Sequence, residues 1–287
     1  MPGDQLLLLP ELTLPAMVDA SIALLRAHEP EGAAYYGAFS GGKDSVVIKE
    51  LARIAGVRVV WHYHNTTIDP PELVQFIKRQ HPDVAWTKPK HGNFFARMEV
   101  KGFPTRRCRW CCGEYKESAP PRGSVMVLGV RAAESPRRAA TWKPITFHRE
   151  TRAWCISPIL LWSTENIWDF IRQSGIPYSS LYDEGFTRLG CIGCPMAREA
   201  ARLKEFARWP RYEALWRRGF DRVWERRTGL TQRNGRIWFG DAFFRNAQEM
   251  WEWWLSNDSL PPALSEEDEE GSCQLALDML SGGGDVR

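Results

Sequence analysis

No apolar run in this sequence reaches the ~18 residues needed to cross a bilayer. Of the 287 residues, 44% are hydrophobic and 25% charged. That mix suits one large globular domain, or one domain with an appendage. The start, MPGDQLLLLPEL, has a short leucine run but no basic lead and no small-residue cleavage site. A secretory signal is therefore not expected, and the expected compartment is the cytoplasm, away from membranes. No internal repeat is visible. Strong charge of one sign is also missing, the net charge being only +3.

An even set of cysteines is lacking too: there are seven. Three of them, Cys108, Cys111 and Cys112, fall within five positions of RRCRWCCGEYKE. Adjacent cysteines make a strained disulfide, and three thiols cannot pair off. In a reducing compartment such clusters are metal ligands or redox thiols before they are disulfides.

What is present reads as alternating strand and helix. Leu14–His28 has helical apolar spacing, and AAYYGAFS is a buried-strand pattern ending at Ser40. GGKDS is a turn, and VVIKELARIAG is a helix stopping at Gly56. VRVVWHYHN, PPELVQFIKRQHP and DVAWTKP continue as strand, helix and strand. SVMVLGVRAAES and CISPILLW are further strands, and TENIWDFIRQSG is a helix with Thr164 as N-cap. This order predicts an α/β fold with a parallel sheet flanked by helices. Residues 198–257 carry an amphipathic stripe that includes Phe206, Trp216, Phe220 and Val223, which predicts a helical C-terminal extension. At that spacing the tryptophans are core residues rather than base-stacking platforms. The expected domains are 1–197, 198–257 and an acidic, disordered tail over 258–287.

SGGKDS stands where a strand hands over to a helix. Glycines there let the backbone approach an anion, the turn's N–H groups and the helix dipole attract it, and Lys43 adds a full charge. Gly37 to Lys43 also spells G-x-x-x-x-G-K, but a Walker A loop then needs Ser or Thr where Asp44 stands. Downstream, Cys191 and Cys194 form a C-x-x-C turn able to hold half of a metal centre. The other half comes from Cys108 and Cys111, a zinc-like second C-x-x-C, or from the adjacent Cys111 and Cys112. Cys155 lies in an apolar strand pattern and reads as buried packing. Arginines crowd Arg198–Arg245, which fits either a polyanionic partner or a solvated helix face.

SGGKDS resembles the PP-loop, S-G-G-x-D-S, of adenine nucleotide α-hydrolases, a Rossmann-like fold. LGVRAAESPRR and the region ISPILLW…LYDEGFTRLGCIGCP resemble the phosphoadenosine-phosphosulfate reductase branch, over roughly Ala34 to Pro195. The resemblance implies that Ser40, Gly41, Gly42, Lys43, Asp44 and Ser45 hold the phosphates of ATP, with Asp44 holding Mg2+ or orienting the loop. Arg131, with Arg137 or Arg138, would clamp a further anion; a surface ion pair is the alternative for Arg131. Assimilatory adenylyl-sulfate reductases hold a 4Fe-4S cluster with C-C and a distant C-x-x-C. They also carry a lysine at the offset that Lys116 has here. By that similarity Cys111, Cys112, Cys191 and Cys194 are the ligands and Lys116 a catalytic residue, with the cluster expected beside the nucleotide cleft.

Three functions follow. RWC before a lysine, SGGKDS and GCIGC are similar to the iron–sulfur PP-loop enzymes of DNA phosphorothioation. That implies ATP cleavage, sulfur transfer, a nucleic acid acceptor and a sulfur-donor or reductant protein. A sulfonucleotide reductase acting on adenylyl sulfate is the second. Its Glu-Cys-Gly-x-His nucleophile motif is not matched by GSCQLAL around Cys273. A non-catalytic iron–sulfur or zinc module that binds nucleic acid is the third. Self-association is left open.

Overall fold

The computed structural model describes residues 13–116, 120–149, 151–230 and 244–256. In chain order the main elements are α1 (Leu14–Ala27), β1 (Tyr35–Ala38), α2 (Lys43–Ala55), β2 (Val59–His64), α3 (Pro71–Gln80), β3 (Ala85–Thr87), α4 (Phe94–Lys101), α5 (Trp110–Tyr115), β4 (Val125–Val127), α6 (Pro136–Thr141), β5 (Ile145–His148), β6 (Ala153–Ile156), α7 (Thr164–Ser174), α8 (Glu199–Arg208), α9 (Pro210–Arg227) and α10 (Ala247–Ser256). Two compact units form. Among the described residues, the first comprises 13–64, 71–87, 120–149 and 151–189; the second comprises 65–70, 88–116, 190–230 and 244–256.

The first unit holds a six-stranded sheet in the order β3-β2-β1-β4-β6-β5. All pairings are parallel except β5 with β6. The antiparallel edge strand β5 has no counterpart in the sequence reading, because ITFH is only four residues long and follows a proline. Strand β1 passes close to β2. A Cβ at Gly37 would lie 2.3 Å from the Trp61 ring, so only glycine fits there. Gly37 therefore belongs to the strand and not to the loop, which removes the Walker reading. Helix α2 buries Val47, Ile48 and Leu51 and packs with α1 and α7. Cys155 is fully buried beside Met126 and Ala153, as its apolar setting predicts.

Two local expectations are corrected. The N-cap of α7 is Ser163 rather than Thr164. The Ser163 hydroxyl accepts from Asn166 N–H at 3.1 Å and the Asn166 side chain accepts from Ser163 N–H at 2.8 Å, a reciprocal capping box. The CISPILLW strand ends at Ile156. Ser157–Trp162 is a series of turns, since Pro158 has no N–H for a ladder.

The second unit is helical. Its core is aromatic: Trp216 stacks on Trp254 at 4.6 Å, and Phe94, Phe220 and Trp251 pack around them. The expected helical stretch after Arg198 is divided at Trp209. Pro210 starts α9, and a residue before proline disfavours the α conformation. Arg202 is fully buried and donates to the carbonyls of Trp254 and Leu255 at 2.7 and 2.8 Å, closing the end of α10. Arg227 is buried too and donates to Val100 O at 2.6 Å. Part of the basic segment is thus structural. No helix among the described residues is long and apolar enough to cross a membrane. The tail 258–287, with Cys273, lies outside the described residues.

Candidate functional site

In the first unit, β1 lies between β2 and β4, where successive connections leave in opposite directions. Ligands of such sheets collect at the carboxyl ends of those strands. Ser40–Ser45 follow β1 and Gly129–Arg131 follow β4. Gly41 has φ +73°, and a Cβ there would come within 2.7 Å of Ile77. Gly42 is the N-cap of α2, so the first N–H groups of that helix open onto the loop. Ser45 Oγ donates back to Gly42 O at 2.7 Å and tightens the turn.

Charge is concentrated here. Lys43 is buried, and its ammonium donates to Asp44 at 3.3 Å and to Thr187 O at 3.4 Å. Arg131, only 3% exposed, donates through Nε to the other Asp44 oxygen at 2.6 Å. Its Nη1 donates to both Trp162 O and Thr164 Oγ1, at 3.4 and 3.3 Å. Arg131 is therefore a buried organiser of the loop, not a surface residue. Arg138 pairs with Glu134. Burial, then the Arg188 charge, holds the Arg138 pKa below the usual arginine value. Arg137 is exposed. The Tyr182 hydroxyl accepts from Lys43 N–H at 2.8 Å. Burial raises the Tyr182 pKa, so the phenol keeps its proton.

The second unit carries the cysteines. Helix α5 is anchored by Trp110, which stacks on Phe94 and donates to Gly102 O at 3.2 Å. Glu114 holds α5 to α4 by a two-pronged pair with Arg97 at 2.7 and 2.8 Å. The C-x-x-C turn is fixed from several sides. Gly193 has φ +73° and leaves no room for a Cβ under Trp216, whose indole donates to Ile192 O at 3.0 Å. Gly193 N–H donates to Glu205 at 2.8 Å, and Arg106 donates to Pro195 O and Ala197 O.

Both halves come together. The Cys111 thiol is pushed well up, first by its hydrogen bond with Cys112, then by burial and the charges of Cys112, Cys191 and Cys194. Burial pushes Cys191 up to about 12, against the lowering effect of Lys116. Its thiol also donates to Thr66 Oγ1 at 3.5 Å. Loss of solvent around the buried Lys116 ammonium opposes its charge, but Cys191, Asp69 and Cys194 outweigh that and raise its pKa. Lys116 as a residue is solvent-exposed, so it is the ammonium end that reaches the thiols. Cys108 is buried, with its N–H on Thr105 Oγ1 at 3.0 Å. Among the described residues, no three or more His, Cys, Asp or Glu side chains close on a single metal ion. Cys191 and Cys194 lie beside Lys116, and Cys111 feels the charges of Cys112, Cys191 and Cys194; such a set suits a cationic centre, because each thiolate formed raises the cost of the next. Asp69, Thr66, Tyr182 and Arg188 were not singled out from the sequence. The signal was faint: the last two lie in LYDEGFTRLG, and Thr66 and Asp69 in NTTIDP just after β2.

A loop of this form at the carboxyl end of β1, followed by a split cysteine set, defines a class. The phosphoadenosine phosphosulfate reductase domain matches residues 35–197, more than half of the chain, and the chain belongs to that family of PP-loop enzymes. An uncharacterized protein of Methanocaldococcus jannaschii is 31% identical over 200 residues, covering 64% of this chain and 48% of that protein. The adenosine 5'-phosphosulfate reductase of Allochromatium vinosum is 26% identical over 225 residues, covering 69% and 82%. The phosphoadenylyl-sulfate reductase of Candida auris, solved as a phosphate complex, has 15% identity and a TM-score of 0.48, over 62% of this chain and 93% of that one. The chain spans about half the length of the Methanocaldococcus jannaschii proteins it matches.

Proposed function

We propose that this protein is an adenine-nucleotide-dependent sulfur-transfer enzyme that cleaves ATP to AMP and pyrophosphate. The observation that carries the proposal is the charge arrangement at the start of α2, where Asp44 joins Lys43 and Arg131 beneath an open helix N-terminus. An acceptor oxygen attacks the α-phosphorus and the bond to the β-phosphate breaks. The electron pair leaves with pyrophosphate, which Lys43 and the loop N–H groups stabilise. Sulfide from the donor then displaces AMP from the adenylated acceptor; where the donor presents a persulfide, a second thiol of the donor takes up the inner sulfur as a disulfide and so releases the product. Asp44, engaged by two cations, serves better to orient the loop than as an unengaged magnesium ligand. A nucleic acid acceptor, as in DNA phosphorothioation, fits the exposed arginines of α9 that remain after Arg227 is buried.

Cys111, Cys112, Cys191 and Cys194 would hold the 4Fe-4S cluster, with zinc as the other occupant that a four-thiolate set accepts. When bound, a four-iron cluster supplies electron-transfer capacity or an iron site for sulfur. Lys116 keeps its positive charge among the thiols and draws an anionic group toward them.

A sulfonucleotide reductase is the second reading, favoured by the reductase relative from Allochromatium vinosum and by Lys116. One experiment separates the two. The protein is purified without oxygen and given ATP or adenylyl sulfate. Pyrophosphate from ATP supports the first reading, sulfite from adenylyl sulfate the second, and neither product refutes both. Iron content and absorption near ~400 nm decide between iron and zinc.

A further inference from the structure

The phosphate site has a second wall that the glycine loop does not supply. Tyr182 ends a single 3-10 turn, Ser180–Tyr182, that packs against α3. Its hydroxyl lies over the loop: a Cβ built on Gly42 would be 3.4 Å from it. Trp168 fixes the ring edge-on at 5.1 Å. The hydroxyl accepts from Lys43 N–H, one of the helix donors that has no partner within the helix. A tyrosine hydroxyl also has a proton to give. Among the described residues no acceptor takes that proton.

Arg188 is the second unmatched group. Thr187, next to it, is tied to the loop by the Lys43 ammonium. The Arg188 side chain is exposed and has no hydrogen-bonded or ion-paired partner among the described residues. Its charge reaches Tyr182 and Arg138. The carboxylates nearby are already engaged. Asp44 serves Lys43 and Arg131, Glu134 serves Arg138, and Glu165 at the rim is held by backbone N–H and Ser163. A free hydroxyl proton and a free guanidinium at one anion site both call for an oxyanion.

We propose that Tyr182 and Arg188 form the second half of the anion site, holding a phosphate oxyanion on the side opposite the glycine loop. The ligand class is a condensed phosphate, inorganic pyrophosphate being its simplest member. The proposal rests on the nucleotide reading above. Tyr182 then relays Lys43 N–H to the ligand, accepting from one and donating to the other. Arg188 supplies a charge that screens the leaving phosphates.

The test is titration calorimetry of inorganic pyrophosphate and ATP on the anaerobically purified full chain. Tyr182→Phe should weaken pyrophosphate binding about tenfold, the loss of one charge-assisted hydrogen bond. Arg188→Ala should weaken it about tenfold or more, and Arg188→Lys should recover part of that. Arg188 is exposed, so its variants should melt with the wild type. Wild-type affinity in both variants, or tighter binding by Tyr182→Phe, would overturn the proposal while leaving the nucleotide reading intact. A wild-type protein that binds neither ligand would overturn the nucleotide reading and the proposal with it.

Discussion

Arg131 Nε lies 2.6 Å from Asp44 Oδ1, joining the end of β4 to the start of α2 through a guanidinium that is almost wholly buried. Asp44→Asn removes the shared counter-charge of Arg131 and Lys43. The expected cost is about 3 kcal/mol of unfolding free energy, the range for breaking a buried pair. Arg131→Lys should not preserve the site, because a lysine cannot reach Asp44, Trp162 O and Thr164 together. Urea unfolding of the variants measures the first, and nucleotide titration the second.

Two glycines with similar φ separate conformation from space. Gly41 and Gly56 have φ +73° and +71°. A Cβ at Gly56 meets nothing within 4 Å, whereas one at Gly41 runs into Ile77 and Leu73. Gly56→Ala should cost about 1 kcal/mol and leave ATP binding unchanged. Gly41→Ala should cost more and lose ATP binding, since the loop must move to make room. Equal ATP affinity in the two variants would refute this account of the loop.

Cys112→Ser should abolish iron binding, while Cys108→Ser should retain it. Serine at the buried Cys108 adds a hydroxyl where a thiol packed, at about 1–2 kcal/mol of stability. Iron and sulfide analysis of the two proteins is sufficient, and the opposite pattern would place Cys108 in the ligand set.

His81 predicts a dependence on pH. Burial, then the Lys49 charge, pushes its pKa down to about 4, and Asp83 offsets this only in part. The Lys49 ammonium lies 3.2 Å from Nδ1, and Phe39 and Phe76 pack against the ring. The unfolded chain therefore binds more protons between pH 6.5 and about 4. Stability should fall as pH drops through that window and level off below it, by up to about 3 kcal/mol. His81→Gln should flatten that component when unfolding is followed against pH.

Much of the architecture was legible in the chain. The strand–glycine turn–helix at Ser40 follows from Gly41, Gly42 and a strand pattern, and Gly56 marks the end of α2 as expected. The short α5 was not legible. Its six residues give no period, and it is held by Phe94, Arg97 and Gly102, all from other segments. The tryptophans of α9 and α10 read correctly as core, but the burial of Arg202 could not be foreseen. It depends on the carbonyls that end α10, more than fifty residues away.

The site divides the same way. Residue types and spacing by themselves determined the glycine loop between β1 and α2 and the C-x-x-C turn, because both are local devices built from glycine freedom and short-range backbone geometry. The sequence likewise determined that seven cysteines could not all be paired. Only the tertiary structure decided which groups share a charge. It brought Asp44 to Arg131 and Lys43 N–H to Tyr182, and in the other unit Lys116 to Cys191 and Asp69. Coulomb and hydrogen-bond energies depend on a few ångströms of separation in space, and distance along the chain does not encode that separation.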